Sequence, residues 1–150
     1  MPSPPPAGIY VPVPTFFLAP SSPSLDSALD LVTQVQHAVY LAAAGATGLV
    51  LLGSTGESIH LTRAERVRLI SAVRAGLNDK GFPNLPLLVG TASQSVVETV
   101  EQLSEGAAAG AAWGLVLAPG YFAAAGGVSE AGLVAWYKAV ADLSVLPILL

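Results

Sequence analysis

Two adjacent hydroxyls framed by glycine, in Gly53-Ser54-Thr55-Gly56-Glu57, are the residues best placed to do chemistry in this chain. Short hydroxylated side chains and unblocked backbone N–H groups in a tight loop suit the holding of a small carboxylate or phosphate. The flanks give the loop its context. Before it runs Gly48-Leu49-Val50-Leu51-Leu52, long enough for one buried strand. After it comes Leu61-Thr62-Arg63-Ala64-Glu65-Arg66, where Thr62 and Glu65 have the spacing of a capping box that opens a helix. Other polar residues close other apolar runs: Thr15, then Thr91 with Ser93, then Tyr121. Glu57 reads as a structural cap on loop N–H groups. Thr15 either caps a turn or lines a pocket, and Thr91 either lines it or packs in a strand.

Several chemistries are excluded. The chain has no cysteine, hence no disulfide framework or thiolate, and His37 and His60 lack zinc-ligand spacing. His37 reads as a surface or edge residue, and His60 stands at the rim of the loop. No G-x-G-x-x-G follows the first strand, and the Gly53–Glu57 loop lacks the lysine of a P-loop. No metal or cofactor is implied. The net charge of −4 and scattered cations argue against nucleic acid, and Arg63, Arg66 and Arg68 with Glu65 read as a solvated helix face.

The elements that must position these residues alternate along the chain. Pro12 and Pro14 keep Ile9 to Phe17 extended. A helix is expected from about Asp26 to Ala44, with Leu29, Val32, Gln36, Val39 and Tyr40 recurring at helical spacing and Gly45 closing it. Then come a strand to Leu52, a helix from Thr62 to about Leu77, a strand Leu87–Gly90, a helix near Ser95 to Ala109, and a strand Leu115–Ala118. A last helix from about Ser129 to Leu143 leads into Pro147-Ile148-Leu149-Leu150. The segment Ala44-Gly45-Ala46-Thr47-Gly48-Leu49-Val50-Leu51 recurs, with one residue added, as Ala109 to Leu117: a helix end, a glycine stop and a buried strand. Continuous apolar strands without alternation fit a parallel sheet covered on both faces.

The 53% hydrophobic and 11% charged composition supplies ample core for one domain, and suits close helix-on-strand packing. Met1-Pro2-Ser3-Pro4-Pro5-Pro6 reads as a disordered leader, residues 1–7, without the features of a secretory signal. Ala38 to Gly53 is shorter than the ~20 residues of a spanning helix, so no membrane partner and a cytoplasmic location are expected. Two α/β folds compete, an open doubly wound sheet and a (β/α)8 TIM barrel. Polar residues at the ends of successive strands favour the barrel, which gathers all its strand ends into one site. A barrel typically needs ~250 residues. The chain would supply its first half, β1 to β5, over residues 8–150, and its stop in an apparent core strand reads as the front of something longer.

Five motifs in order resemble the dihydrodipicolinate synthase / N-acetylneuraminate lyase family of pyruvate-dependent aldolases. Gly8-Ile9-Tyr10-Val11-Pro12-Val13-Pro14-Thr15-Phe16 resembles its opening strand, and Gly53-Ser54-Thr55-Gly56-Glu57 its G-T/S-T/N-G-E signature. Leu61-Thr62-Arg63-Ala64-Glu65-Arg66 is similar to the L-T/S-x-x-E-R that follows it. Gly90-Thr91-Ala92-Ser93 resembles the third-strand motif and Pro119-Gly120-Tyr121-Phe122 the aromatic motif after the fourth. The form Gly-Ser-Thr-Gly-Glu-Ser-Ile-His-Leu is most similar to the branch of 4-hydroxy-2-oxoglutarate and 2-keto-3-deoxy sugar acid aldolases.

The resemblance implies a lysine imine with pyruvate, formation or cleavage of a C–C bond to an aldehyde or 2-oxo acid, and a homo-oligomer, a tetramer in the full-length family. It implies that Ser54 and Thr55 hold the pyruvate carboxylate, with Thr15, Gly53 and Thr91 lining the pocket. Thr55 and Tyr121 are the catalytic candidates, Tyr121 as proton relay. The second aromatic of that motif is Phe122, which has no hydroxyl; a register favouring position 122 loses the relay. The imine lysine of the family lies beyond Leu150. Lys80, in a helix-to-strand turn, and Lys138, mid-helix, are the only lysines and neither suits the role, so this chain alone is expected to be inactive. Two further readings stand beside it: a non-catalytic product that pairs with a full-length paralogue or itself, and a small-anion-binding domain. Half a barrel leaves two open edges, so aggregation or obligate oligomerisation is expected.

Overall fold

The computed structural model describes residues 4–19, 29–121 and 127–150. Its elements are β1 (Tyr10–Pro12), α1 (Leu31–Ala43), β2 (Gly48–Leu51), a 3₁₀ turn (Ser58–His60), α2 (Arg63–Asp79), β3 (Leu87–Thr91), α3 (Val96–Ala108), β4 (Trp113–Val116), α4 (Glu130–Leu143) and β5 (Ile148–Leu149). The five strands form one parallel sheet in the order β1-β2-β3-β4-β5, with Tyr10 beside Gly48, Leu49 beside Leu87, Leu88 beside Trp113 and Gly114 beside Ile148.

This order decides between the two folds. A doubly wound sheet starts near its centre and reverses its strand order, which places helices on both faces. Consecutive order with right-handed crossovers sends every helix to the same face. Here α1 packs on α2, α2 on α3 and α3 on α4, as in a sector of a (β/α)8 barrel.

Local chemistry accounts for the boundaries. Thr62 and Glu65 form the expected capping box, and Ser95 and Ser129 accept the N–H groups of Glu98 and Gly132 at the starts of α3 and α4. The repeated segment has the same geometry twice. Gly45 (φ +92°) and Gly110 (φ +105°) adopt the left-handed conformation after α1 and α3, and Ala46 and Ala111 donate back to Leu41 and Gly106. Proline shortens β1 to three residues, because Pro12 and Pro14 cannot donate to the ladder. The fourth strand begins earlier than expected, at Trp113.

Helix α1 departs most from the sequence pattern. Asp26 lies outside the described residues, Leu29 forms an antiparallel bridge with Phe17, and the Asp30 carboxylate caps Thr33, so the helix starts at Leu31. The expected inward residues Val32 and Tyr40 are 69% and 68% exposed, and Gln36 is exposed too. The buried face is Gln34, Ala38 and Ala42. Ala38 and Ala42 join the main core. Gln34 is buried because its Oε1 accepts from the Phe16 N–H at 3.1 Å and its Nε2 donates to the Pro14 carbonyl at 3.1 Å. The side chain thus satisfies backbone groups that the proline-broken strand leaves without a ladder partner.

The main core joins Leu49, Leu51 and Leu52 of the second strand and its exit to Leu69, Val73 and Leu77 of α2 and Leu87 and Val89 of β3. A second cluster centres on Leu103, Val116 and Val140. At the amino-terminal end, the Tyr10 hydroxyl donates to the Pro6 carbonyl at 2.8 Å, and Pro4 and Pro5 line an apolar cleft with Trp113 and Ile148. Among the described residues no helix is long and apolar enough to cross a membrane.

Candidate functional site

The Gly53–Glu57 loop leaves the carboxyl end of β2 and is held on three sides. Its root is Leu52, 1% exposed and in the left-handed region at φ +60°, where a non-glycine residue is strained. A Cβ on Gly90 would lie 2.1 Å from the Leu52 carbonyl oxygen, so only glycine in β3 lets the loop root pass this closely. At the far end, a Cβ on Gly56 would come within 2.7 Å of the Leu52 nitrogen. The Thr15 hydroxyl, buried beyond β1, donates to the Gly56 carbonyl at 2.6 Å. Between these anchors the Glu57 N–H donates to the Ser54 carbonyl at 3.1 Å, and Glu57 itself is left-handed at φ +52°.

A hollow of about 230 Å3 opens beside this turn, lined by Ser54, Glu57, Ser58, Ile59, Ala92 and Leu117. Its walls thus come from the loops after β2, β3 and β4. Thr55 is solvent-exposed on the same loop, while Gly53 is buried at its root. Thr91, the last residue of β3, is 1% exposed and its Oγ1 has no hydrogen-bond partner. Thr91, Thr15 and Thr55 do not line this hollow. Thr15 spends its hydroxyl on the loop. Glu57 makes no cap with its side chain.

Tyr121 stands apart. It is 77% exposed and outside the lining of the hollow, and its N–H donates to Gln94 Oε1 at 2.9 Å. Phe122 lies outside the described residues. The Gln94 carbonyl also accepts the Trp136 indole N–H at 3.3 Å, so one residue ties the loops after β3 and β4 to α4. The Tyr137 hydroxyl donates to the Val116 carbonyl at 3.2 Å, and burial raises its pKa. Neither lysine lines the hollow: Lys80 caps the end of α2, and Lys138 lines a shallow trough on α4 with Ser129, Glu130 and Asp142. His60 ends the 3₁₀ turn, exposed, and His37 packs edge-on against Phe16 at 5.3 Å. Among the described residues no three His, Cys, Asp or Glu side chains gather as a metal site.

The arginines correct the sequence reading. Arg63 does lie on the surface, where it pairs with Glu101 and Glu105 at 2.6 Å each and Glu98 at 3.5 Å, linking α2 to α3. Arg66 is not part of a solvated face. It is 4% exposed, and its Nη2 donates to the Gly90 carbonyl at 2.6 Å. Desolvation lowers its pKa to about 10, opposed by the charges of Glu105 and Glu98, so the guanidinium stays protonated at neutral pH. Sequence pattern hides this residue: helical spacing places it beside charged neighbours, and only its long stem lets it turn inward. Gln94 gave no sequence signal either.

Comparison with known proteins gives these features a family. Residues 14–150 match the Dihydrodipicolinate synthetase family. The chain is 43% identical over 145 residues to L-threo-3-deoxy-hexylosonate aldolase of Hypocrea jecorina, covering 97% of this chain and 44% of that protein. It is 40% identical over 143 residues to the Emericella nidulans protein named "Probable 4-hydroxy-2-oxoglutarate aldolase, mitochondrial", covering 95% of this chain and 44% of the relative. The chain therefore spans under half the length of these relatives. Among solved structures, a dihydrodipicolinate synthase family protein from Coccidioides immitis superposes with a TM-score of 0.80 at 33% identity, covering 96% of this chain and 43% of that one. Dihydrodipicolinate synthase from Acinetobacter baumannii, solved with pyruvate, superposes with a TM-score of 0.79 at 25% identity over 94% of this chain and 44% of that one. With its consecutive parallel strands and its clamped Gly53–Glu57 loop, this chain belongs to the dihydrodipicolinate synthetase family and forms the first half of that family's barrel.

Proposed function

We propose that the protein is a class I aldolase or lyase that makes or breaks a C–C bond between pyruvate and an aldehyde or 2-oxo acid. The observation that carries this reading is the anchored Gly53–Glu57 loop at the carboxyl ends of neighbouring strands, in a chain so similar to a 3-deoxy-hexylosonate aldolase. Ser54 and Thr55 offer hydroxyl and N–H donors to the pyruvate carboxylate. Their loop is preset by Thr15 and Leu52, so little reorganisation accompanies binding. Thr91, at the end of β3, is the pocket-lining residue of this reading.

The chemistry rests on a lysine amine that condenses with the ketone of pyruvate, releasing water and forming an imine. Loss of a methyl proton gives an enamine that attacks the aldehyde carbon. Neither Lys80 nor Lys138 lines the hollow, so that lysine belongs to the part of the family barrel that these residues do not span. Tyr121 is the proton-relay candidate of this chain, and Gln94 fixes its backbone. Oligomeric assembly, as a tetramer, and a cytoplasmic location complete the reading; the mitochondrial name of the Emericella relative makes cell fractionation its direct check.

A second reading, small-anion binding without covalent chemistry, rests on the glycine-framed hydroxyls and N–H groups of the Gly53–Glu57 loop alone. Intact mass of the native gene product after incubation with pyruvate and borohydride separates the two. A product longer than 150 residues with a reduced pyruvate adduct supports the aldolase. A 150-residue product without adduct overturns it, and phosphate binding at the loop would then support the second reading.

A further inference from the structure

We propose that Arg66 is a positioning residue for the anion-holding loop, acting through the Gly90 carbonyl. This rests on the assignment of Gly53–Glu57 as the carboxylate site. Gly90 is where two constraints meet. On one side its missing Cβ admits the Leu52 carbonyl and the Gly53 nitrogen, which would lie 2.1 and 2.7 Å from that atom. On another side its carbonyl accepts Arg66 Nη2 at 2.6 Å in a buried setting. Arg66 belongs to the first turn of α2, the helix that follows the loop. The chain therefore leaves β2, makes the loop, starts a helix and reaches back to grip the strand on which the loop root rests.

Three features show that the grip is aimed. The capping box of Thr62 and Glu65, with Thr62 N–H donating to Glu65 Oε2 at 2.7 Å, fixes the start of α2 at Arg63, three residues before Arg66. The surface cluster of Arg63 with Glu98, Glu101 and Glu105 holds the same turn against α3. Arg66 lines a small hollow of about 190 Å3 together with Ser93, Glu98 and Gln102, and the charges of Glu105 and Glu98 on the neighbouring helix favour its protonated form. Burying a guanidinium is costly, and a single backbone carbonyl is a poor return unless its placement matters.

The test compares wild type, Arg66→Gln and Arg66→Lys in the native gene product. Amide hydrogen exchange is followed over residues 53–57, 88–91 and 130–143, and borohydride-trapped adduct is titrated with pyruvate. In R66Q the first two segments exchange faster while the third is unchanged. Half-saturating pyruvate rises roughly ten- to a hundredfold at an unaltered plateau, as expected for a displaced binding group. R66K falls between wild type and R66Q in both readouts. Exchange raised evenly over all three segments, or left unchanged at 53–57, overturns the proposal. Should R66Q fail to fold, R66K decides alone: loop exchange equal to wild type overturns it. Absence of adduct in wild type overturns the aldolase reading, and the exchange comparison still tests Arg66.

Discussion

Helices α2 and α4 occupy equivalent places in the strand–helix alternation, yet they are built into the molecule very differently. Helix α2 buries Glu65, Arg66, Leu69, Ile70, Val73 and Leu77, whereas α4 buries Val140 alone. The strands follow suit: β2 and β3 are buried throughout, while both residues of β5 are half-buried. Helix α2 lies between α1 and α3, and its Leu69, Val73 and Leu77 share a core with residues of β2 and β3. On the α4 side Val134, Leu143, Val145 and Leu150 are 54–77% exposed. The difference teaches that a barrel helix obtains its burial from neighbours on both flanks as well as from the sheet. It also teaches where the site was put. The anchors of the loop, Thr15, Leu52, Arg66 and Gly90, all belong to the fully packed region, where side chains have the least freedom, while Ser54, Thr55 and Glu57 reach solvent.

Three experiments break or sharpen this contrast. The largest effect is expected for Gly90→Ala, whose new Cβ meets backbone at 2.1 Å and cannot be accommodated by a side-chain shift. A loss of at least ~4 kcal/mol, or no folded protein, is expected by chemical denaturation; a stable G90A protein would show the packed region to be softer than its geometry. Next, Leu77→Ala, at a residue 0% exposed, should cost about 2–5 kcal/mol. Leu143→Ala, at 61% exposed, should stay within about 0.5 kcal/mol. Equal losses would abolish the distinction between the two regions. The smallest effect concerns acid. Hydrogen bonds from Thr33 to Asp30 lower the carboxyl pKa below its usual 3.8. A group depressed in the folded state stabilises at pH above its ordinary value, and the contribution disappears as pH falls through the lowered one. Protection of the α1 amides relative to their intrinsic exchange rates should therefore fall below about pH 3.8, and Asp30→Asn should remove that component while leaving α2 untouched.

The order and type of the elements were legible because each has a local cause. Thr62 with Glu65, Ser95 and Ser129 announce helix starts, Gly45 and Gly110 announce stops, and unbroken apolar runs announce covered strands. The inward face of α1 was not legible, since hydropathy favours Val32 and Tyr40 over Gln34. A glutamine enters the core only when a distant segment, here Pro14 to Phe16, lacks hydrogen-bond partners. The Ser54–Thr55 loop could be read from its flanks. Its anchors could not: Thr15 to Gly56 and Arg66 to Gly90 join residues 41 and 24 positions apart.

By itself, then, the sequence determined the alternation of strands and helices, the glycine-framed hydroxyls and the family motifs, because caps, stops and apolar runs act over a few residues. Tertiary structure alone decided that Gln34 enters the core, that Arg66 turns inward, and that Gly90 must lack a side chain. Those facts depend on which backbone passes within ångströms of which, and close approach between distant segments leaves no local pattern to read.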